Sequence, residues 1–486
     1  MLGFPERPYY NRVMPDSPLR SPIHSLPATP ATTAEWQAAD VAHVWHPFTP
    51  MTEYAGDSNP VIIAGEGFEL IDIDGRRYLD GVSNLWCNVH GHRVPELDAA
   101  LHAQVDRIAH STLLGFGNTE SIALARELVA VAPSGLNHVF YSDDGSTAVE
   151  AALKIAFQYH LQRTDRPARR PLYLAFDGAY HGDTVGAVSV GGISRFHAAY
   201  EPLLFRCLRM PTPALGAVPR GTTPEDWFAQ CRRELDRVLS QHRDEIAAVV
   251  IEPLVQMAGG ILLHEPGFLA YLRQRTRESD IPLIADEVAV AFGRLGTLFA
   301  CEQESVEPDL LCLSKGLTGG YLPLAATLVT TPIYEAFLGR PEAGRTFYHG
   351  HTYTGNPLAC AVARASLRRF ETHGVLDNAA RLATRLGERL DGFRDHPEVA
   401  DVRVRGLVAG IELVRDKSQG TPFDPALRIG HRVVLAARRR GVLIRPLGDI
   451  IEIIPAPAMP VELLDRVVTT VAESIEEVLQ SVNTTC

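Results

Sequence analysis

Between His138 and Thr330 the chain returns again and again to short apolar runs, each bounded by turn residues. They are His138–Ser142, Pro171–Phe176, Ala247–Glu252, Pro282–Asp286, Asp309–Leu313 and Leu324–Thr330. Runs of this length, apolar at successive positions, read as strands of a sheet covered on both faces. Helical patterns fill several of the gaps, as in Ser146–Gln162 and Gly267–Glu278. Strand–helix alternation predicts an α/β architecture with a mainly parallel sheet and helices on either side. In such sheets ligands bind beyond the carboxyl ends of the strands, so residues just past each run carry the first functional interest.

After about Phe370 the texture changes. Asn378–Phe393 reads as a helix, Val399–Val414 as strands, Ile429–Arg440 as a second helix and Val442–Ile454 as a strand pair. These predict a smaller α+β domain over residues 371–482, beside a large domain over 96–370. Phe68–Asp74 and Tyr78–Asp80 flank a Gly75 turn in the manner of a hairpin. The segment 37–95 is expected to join the small domain. Prolines recur through residues 1–36 without a helical or strand period, which predicts a poorly ordered extension. It lacks the apolar core of a secretory signal. Arg7, Arg12 and Arg20 leave a transit peptide open, although Glu6 and Asp16 weaken it; a misassigned start codon is the other reading.

Composition removes several function classes. A net charge of −12 argues against a broad nucleic-acid surface, which needs a basic face. The cysteines number 7, an odd count with no C-x-x-C pair, so neither a disulfide framework nor a zinc ribbon is expected. No apolar run approaches the roughly 20 residues that span a bilayer. The expectation is a cytoplasmic protein with small-molecule substrates and neither a membrane nor a nucleic-acid partner.

Three places beyond strand ends carry complementary chemistry. Asp143–Thr147 (DDGST) joins a strand to a helix. Gly145 lets the backbone approach a phosphate, Ser146 and Thr147 offer hydroxyls, and the helix start offers N–H groups. The same residues also suit an ordinary helix cap. Asp286 ends a very apolar strand, where a carboxylate can hold a ring nitrogen protonated or simply face water. Lys315 follows another apolar strand between Ser314 and Gly316, where desolvation would lower its pKa and make the amine nucleophilic. An exposed loop lysine is the alternative. Together a phosphate cup, an acid for a ring nitrogen and an amine for an aldehyde fit one cofactor, pyridoxal 5'-phosphate. His46, His90, His92, His181, His349 and His351 lie in separate segments without compact ligand spacing, so no metal site is expected.

From about Val44 to Glu477 the chain resembles the class III aminotransferases of fold type I. The resemblance rests on His43–Met51, Asp80–His92, Ala179–Thr184, Ala285–Glu287, Phe299–Glu302, Ser314–Leu324, His349–Cys360 and Arg445–Gly448 in that order. It implies that Lys315 holds the cofactor and moves the proton, that Gly145 and Ser146 bind its phosphate, and that Asp286 pairs with its ring nitrogen. Tyr180 and Val288 are implied on the two faces of the ring. His351 and Thr352 are implied at the phosphate of a neighbouring subunit, which calls for a homodimer with active sites at the subunit interface. Phe48, Trp86, Tyr180, Lys315, Gly350 and Arg445 match substrate-contacting positions.

The branch resembled implies conversion of 8-amino-7-oxononanoate to 7,8-diaminononanoate in biotin biosynthesis, with S-adenosylmethionine or lysine as amino donor. The alternative is another class III aminotransferase acting on an ω-amino acid or a diamine. A non-catalytic cofactor-binding scaffold is disfavoured by the joint presence of Lys315, Asp286 and Tyr180. Three departures stand out. Phe48 replaces the tyrosine of members that use S-adenosylmethionine, Glu452 occupies a position that is aromatic in some members, and Val290-Ala291 replaces Thr-Gly.

Overall fold

The computed structural model describes residues 29–57, 59–163 and 171–483. The part of the expected extension that falls on residues 1–28 lies outside them. The chain divides into two compact units, Met1–Ile63 with Asp72–Gly75, and Ala64–Ile71 with Arg76–Cys486.

In the smaller unit, helix α1 (Thr33–His43) begins inside the stretch expected to lack structure. The reason is local: Thr32 and Glu35 form a reciprocal capping box, a strong helix start that proline counting overlooks. Asp40 on this helix accepts from the Tyr54 hydroxyl at 2.6 Å and pairs with His46 at 2.9 Å. Phe48 is exposed in this unit and sits at positive φ.

In the larger unit, Glu69–Ile71 of β1 (Glu69–Asp72) pair antiparallel with β2 (Arg77–Asp80). The central sheet follows, built from β3 (Leu136–Ser142), β4 (Leu172–Phe176), β5 (Leu208–Met210), β6 (Ile246–Ile251), β7 (Leu283–Asp286), β8 (Leu310–Leu313) and β9 (Ala325–Thr330). Their order is β3-β9-β8-β7-β6-β4-β5. Strands β8, β7, β6, β4 and β5 pair in parallel, while β9 runs antiparallel to β8 and β3. Every expected strand forms, within a residue or two at its ends. The short edge strand β5 escaped the sequence reading because Leu208–Met210 is too brief to show a period.

Alternate residues of these strands serve two cores. On β8, Leu311 and Leu313 face one side, and Leu310 and Cys312 the other. Helix α2 (Gly145–Gln162) covers the second face with Ala148, Val149, Ala152, Leu153 and Ala156. Helix α3 (Phe268–Glu278) covers the first with Phe268, Leu269 and Leu272. Each such side chain, fully buried, gains about 1.5–3 kcal/mol if it is of Leu or Phe size. Burial on both faces explains why the strands read as continuous apolar runs rather than alternating ones.

Helix α4 (Pro357–Thr372) leads to the C-terminal elements: α5 (Val375–Leu390), β10 (Val399–Arg405), β11 (Val408–Leu413), α6 (Ile429–Arg439), β12 (Val442–Leu443), β13 (Arg445–Leu447), β14 (Ile450–Ile453) and α7 (Val461–Asn483). Strands β10, β11, β14 and β13 form an antiparallel sheet in that order. Leu382, Leu386 and Leu390, four residues apart on α5, pack with Val402, Ile411 and Ile453 in a separate core. Leu79 and Val82 belong to that core, and β2 pairs in parallel with β12 through Leu79 and Val442.

Candidate active site

Strands β7 and β8 lie side by side in parallel, with Asp286 opposite Cys312. Both end at the same sheet edge, so the fold delivers Asp286 and Lys315 to one place. Asp286 is buried. Its Oδ2 lies 2.7 Å from His181 Nδ1, and its Oδ1 accepts the Val288 N–H at 3.1 Å. With Asp286 ionised, His181 Nδ1–H is the donor, and His181 Nε2 has no hydrogen-bond partner among the described residues.

Lys315 opens the tight turn Lys315–Thr318 at a φ of 42°, a conformation that side-chain-bearing residues rarely hold. Its Nζ stands 5.2 Å from the centroid of the Trp86 ring. Protein surrounds it closely, and burial pushes its pKa below the usual lysine range; Asp286 and Glu252 pull the other way. A lysine that gives up its proton more readily is a better nucleophile.

Glu252 follows β6, the other neighbour of β7. It is buried, accepting the Tyr180 N–H at 2.9 Å and the Met257 N–H at 3.0 Å. Burial pushes its pKa up to about 7. The carboxylate therefore clamps the backbone that presents Tyr180, whose hydroxyl donates to Asp183 at 2.6 Å.

Of the two readings of DDGST, the cap is seen directly, in Asp144 and Thr147. Asp144 and Thr147 bond each other reciprocally as a cap, which occupies Thr147. Gly145 and Ser146 stand at the helix start beside them, and Ser146 Oγ accepts the Asp183 N–H at 3.2 Å. A Cβ on Gly145 would fall 2.5 Å from Val288 Cγ1, so only glycine fits against that valine.

Trp86 is buried at the end of a turn in which Ser83, Asn84 and Trp86 all take positive φ. The Asp80 carboxylate accepts from the Val82 and Asn84 N–H groups, and the Ser83 hydroxyl donates to Ile454 O at 2.7 Å. Arg445 on β13 pairs in register with Glu452 on β14, so both side chains leave the same face of the sheet. Glu452 is wholly buried, and burial pushes its pKa up to about 7, while Arg445 and the Trp86 indole draw it down. Gly350 and Thr352 are exposed on the single chain rather than enclosed with Lys315. His351 Nδ1 lies 3.0 Å from Asp143 Oδ2, close to the start of α2.

Other motif residues prove structural. Glu287, next to Asp286, is buried and accepts the N–H groups of Ala300 and Cys301, which fixes the FACE segment. Asn356 caps α4 by accepting from the Leu358 and Ala359 N–H groups. Val290 and Ala291 lie in the core.

This ordered set has a counterpart in known proteins. A family model described as "Aminotransferase class-III" matches residues 54–475. The chain belongs to the class III aminotransferases. Among members of that family, it is 53% identical to the adenosylmethionine-8-amino-7-oxononanoate aminotransferase of Nitratidesulfovibrio vulgaris, covering 92% of this chain and 83% of that one. The crystal structure of the enzyme of the same name from Methanocaldococcus jannaschii superposes with a TM-score of 0.87 at 39% identity, over 92% of this chain and 99% of that one. An (S)-enantioselective omega-transaminase from Thermomicrobium roseum also superposes at 0.87, with 33% identity over 93% of this chain and 100% of that one. No helix among the described residues is long and apolar enough to cross a membrane.

Proposed function

We propose that the protein is a pyridoxal-phosphate-dependent transaminase that converts 8-amino-7-oxononanoate to 7,8-diaminononanoate, with S-adenosylmethionine as amino donor. The observation that carries the reading is the meeting of Lys315 and Asp286 at the ends of adjacent strands, with Trp86 over the amine. The names of the relatives support the substrate and donor. L-Lysine is the second donor reading, favoured by the missing hydroxyl at Phe48.

The residues fit the cofactor on three counts: a helix start where Gly145 packs directly against Val288 with the Ser146 hydroxyl beside it, a buried carboxylate, and an amine depressed by burial. When bound, pyridoxal 5'-phosphate supplies an aldehyde for amines and a ring that accepts electron density. Gly145 and Ser146 would hold its phosphate, and Tyr180 and Val288 would flank its ring. Asp286, oriented by His181, would keep the ring nitrogen protonated. Lys315 Nζ would move a proton in each half-reaction, off the donor carbon in the first and onto the acceptor carbon in the second. Arg445 docks the acceptor's carboxylate through its planar fork.

Residues 37–95 serve the small domain, 371–482, in this reading, and 96–370 form the cofactor-binding domain. The active form is a homodimer in which Gly350, His351 and Thr352 complete the partner's site. The exposure of Leu114, Phe116 and Tyr348 supports such a covered surface. The deciding experiment loads purified protein with cofactor and supplies 8-amino-7-oxononanoate with either donor. Formation of 7,8-diaminononanoate is expected. Turnover of ω-amino acids or diamines, with none of 8-amino-7-oxononanoate, would replace the reading by the ω-aminotransferase one.

A further inference from the structure

Glu452 has no place in the chemistry just described, yet it is a wholly buried carboxylate within the substrate end of the site. No hydrogen bond of ordinary geometry reaches either oxygen among the described residues, and the Trp86 indole is the neighbouring N–H group that draws its pKa down. Leaving such a group unpaired is costly, and proteins seldom do so without return. Its surroundings are simple. From β13, Arg445 faces it in register, and from the turn before Cys87 the Trp86 indole points toward it. From β11 its neighbour is Gly410, over which Ile261 and Ile450 pack. One strand further, Arg403 is tied to Gly260 O and Glu412. Arg445 is thus the cation available to Glu452, and it is the residue proposed to dock the acceptor's carboxylate.

We propose that Glu452 is a specificity-determining residue that acts through Arg445, making the docking of a substrate carboxylate depend on the uptake of one proton by Glu452. The inference rests on the reading of Arg445 as the carboxylate dock. With Arg445 free, its charge supports an ionised Glu452. A ligand carboxylate on Arg445 engages that charge and places a second anion beside the first. Two carboxylates sharing one cation in a low-dielectric site cannot both stay ionised cheaply. The proton comes from solvent, goes to the Glu452 carboxylate, and returns when the ligand leaves. Ligands without a carboxylate leave Glu452 as it was. The site thereby separates ligands that set a carboxylate on Arg445, whose binding takes up a proton, from ligands that do not.

The sign follows from the resting group titrating near 7. Below that, Glu452 already carries the proton and carboxylates bind without uptake. Above it, affinity falls by up to about tenfold per pH unit. The probe is octanoate, with uncharged octanamide as its match, each measured as an inhibitor of the cofactor-loaded enzyme and by calorimetry in two buffers of different ionisation enthalpy. Octanoate should bind wild type roughly tenfold better at about pH 6.5 than at about pH 8.5, with proton uptake at the higher pH, and octanamide should be indifferent. Glu452→Gln should bind octanoate more tightly than wild type at the higher pH, with a flat profile and no uptake. Glu452→Asp should keep the slope. Gain of affinity and rescue by aspartate are results that damaged packing would not give. Octanoate that inhibits wild type no better at the lower pH, or a Glu452→Gln profile as steep as wild type, would overturn the proposal. Arg445→Ala separates the two readings: if it leaves octanoate affinity unchanged, the docking assignment itself fails, whatever Glu452 does.

Discussion

The two ends of the site are built on different terms. At the cofactor end, Asp286, Glu252 and Lys315 project from adjacent parallel strands, and the buried carboxylates there are satisfied: Asp286 by His181 and Val288, Glu252 by two backbone N–H groups. At the end proposed for the substrate, Trp86 hangs on a turn at positive φ, and Glu452 lies buried with no hydrogen bond of ordinary geometry among the described residues. The contrast separates what must be fixed from what must respond. A group that handles one constant ligand can be locked by the fold. A group proposed to answer to a docked carboxylate must keep a charge uncommitted.

The largest blow to the locked end is Lys315→Ala. It should abolish steady-state transamination while the protein still folds and retains cofactor through the helix start at Gly145. Residual turnover near the wild-type rate would remove Lys315 from the chemistry. Asp286→Asn comes next. An amide cannot support a protonated ring nitrogen, so single-turnover amine consumption should slow on the order of a hundredfold or more. Stopped-flow absorbance of the loaded enzyme would detect this, and an unchanged rate would place Asp286 outside the electron sink.

At the responsive end, Arg445→Ala should raise KM for 8-amino-7-oxononanoate by about one to two decades, the worth of a charge-assisted contact of roughly 1.5–3 kcal/mol. The donor half-reaction should change far less. If both half-reactions suffer alike, the two ends are not independent and the contrast collapses. The smallest effect returns to the cofactor end. Gly145→Ala drives a methyl toward Val288, and overpacking of this kind should weaken cofactor retention by about tenfold. Equilibrium dialysis would measure it, and Val288→Ala in the same chain should recover part of the loss. Recovery by Val288→Ala would tie the defect to that close approach rather than to the helix start as a whole.

The placing of Lys315 and Asp286 at neighbouring strand ends was readable in the sequence. Lys315 comes just after an apolar run and Asp286 closes one, which places both at strand ends. His181 and Glu252 were not read as their partners. His181 stood inside the Ala179–Thr184 segment, but nothing local says that its ring meets a carboxylate 105 residues away. Thr147 looked like part of a phosphate cup and serves the helix cap, because a cap and a cup ask for the same hydroxyl. Helix α1 was overlooked because its start depends on two residues, Thr32 and Glu35, amid prolines that suggested no structure.

Sequence by itself determined the elements and their class. Apolar period, turn residues and the order of strands and helices are properties of neighbours along the chain, and they fixed an α/β sheet with reactive groups past its strands. Tertiary structure decided the charges. Whether Glu452 is a solvated strand residue or a buried carboxyl on the same sheet face as Arg445 depends on the register of β13 against β14 and on the segments that bury it. The energy of an ionised group is set by what surrounds it in space, through desolvation and opposing charge, and those surroundings come from segments far apart in the chain.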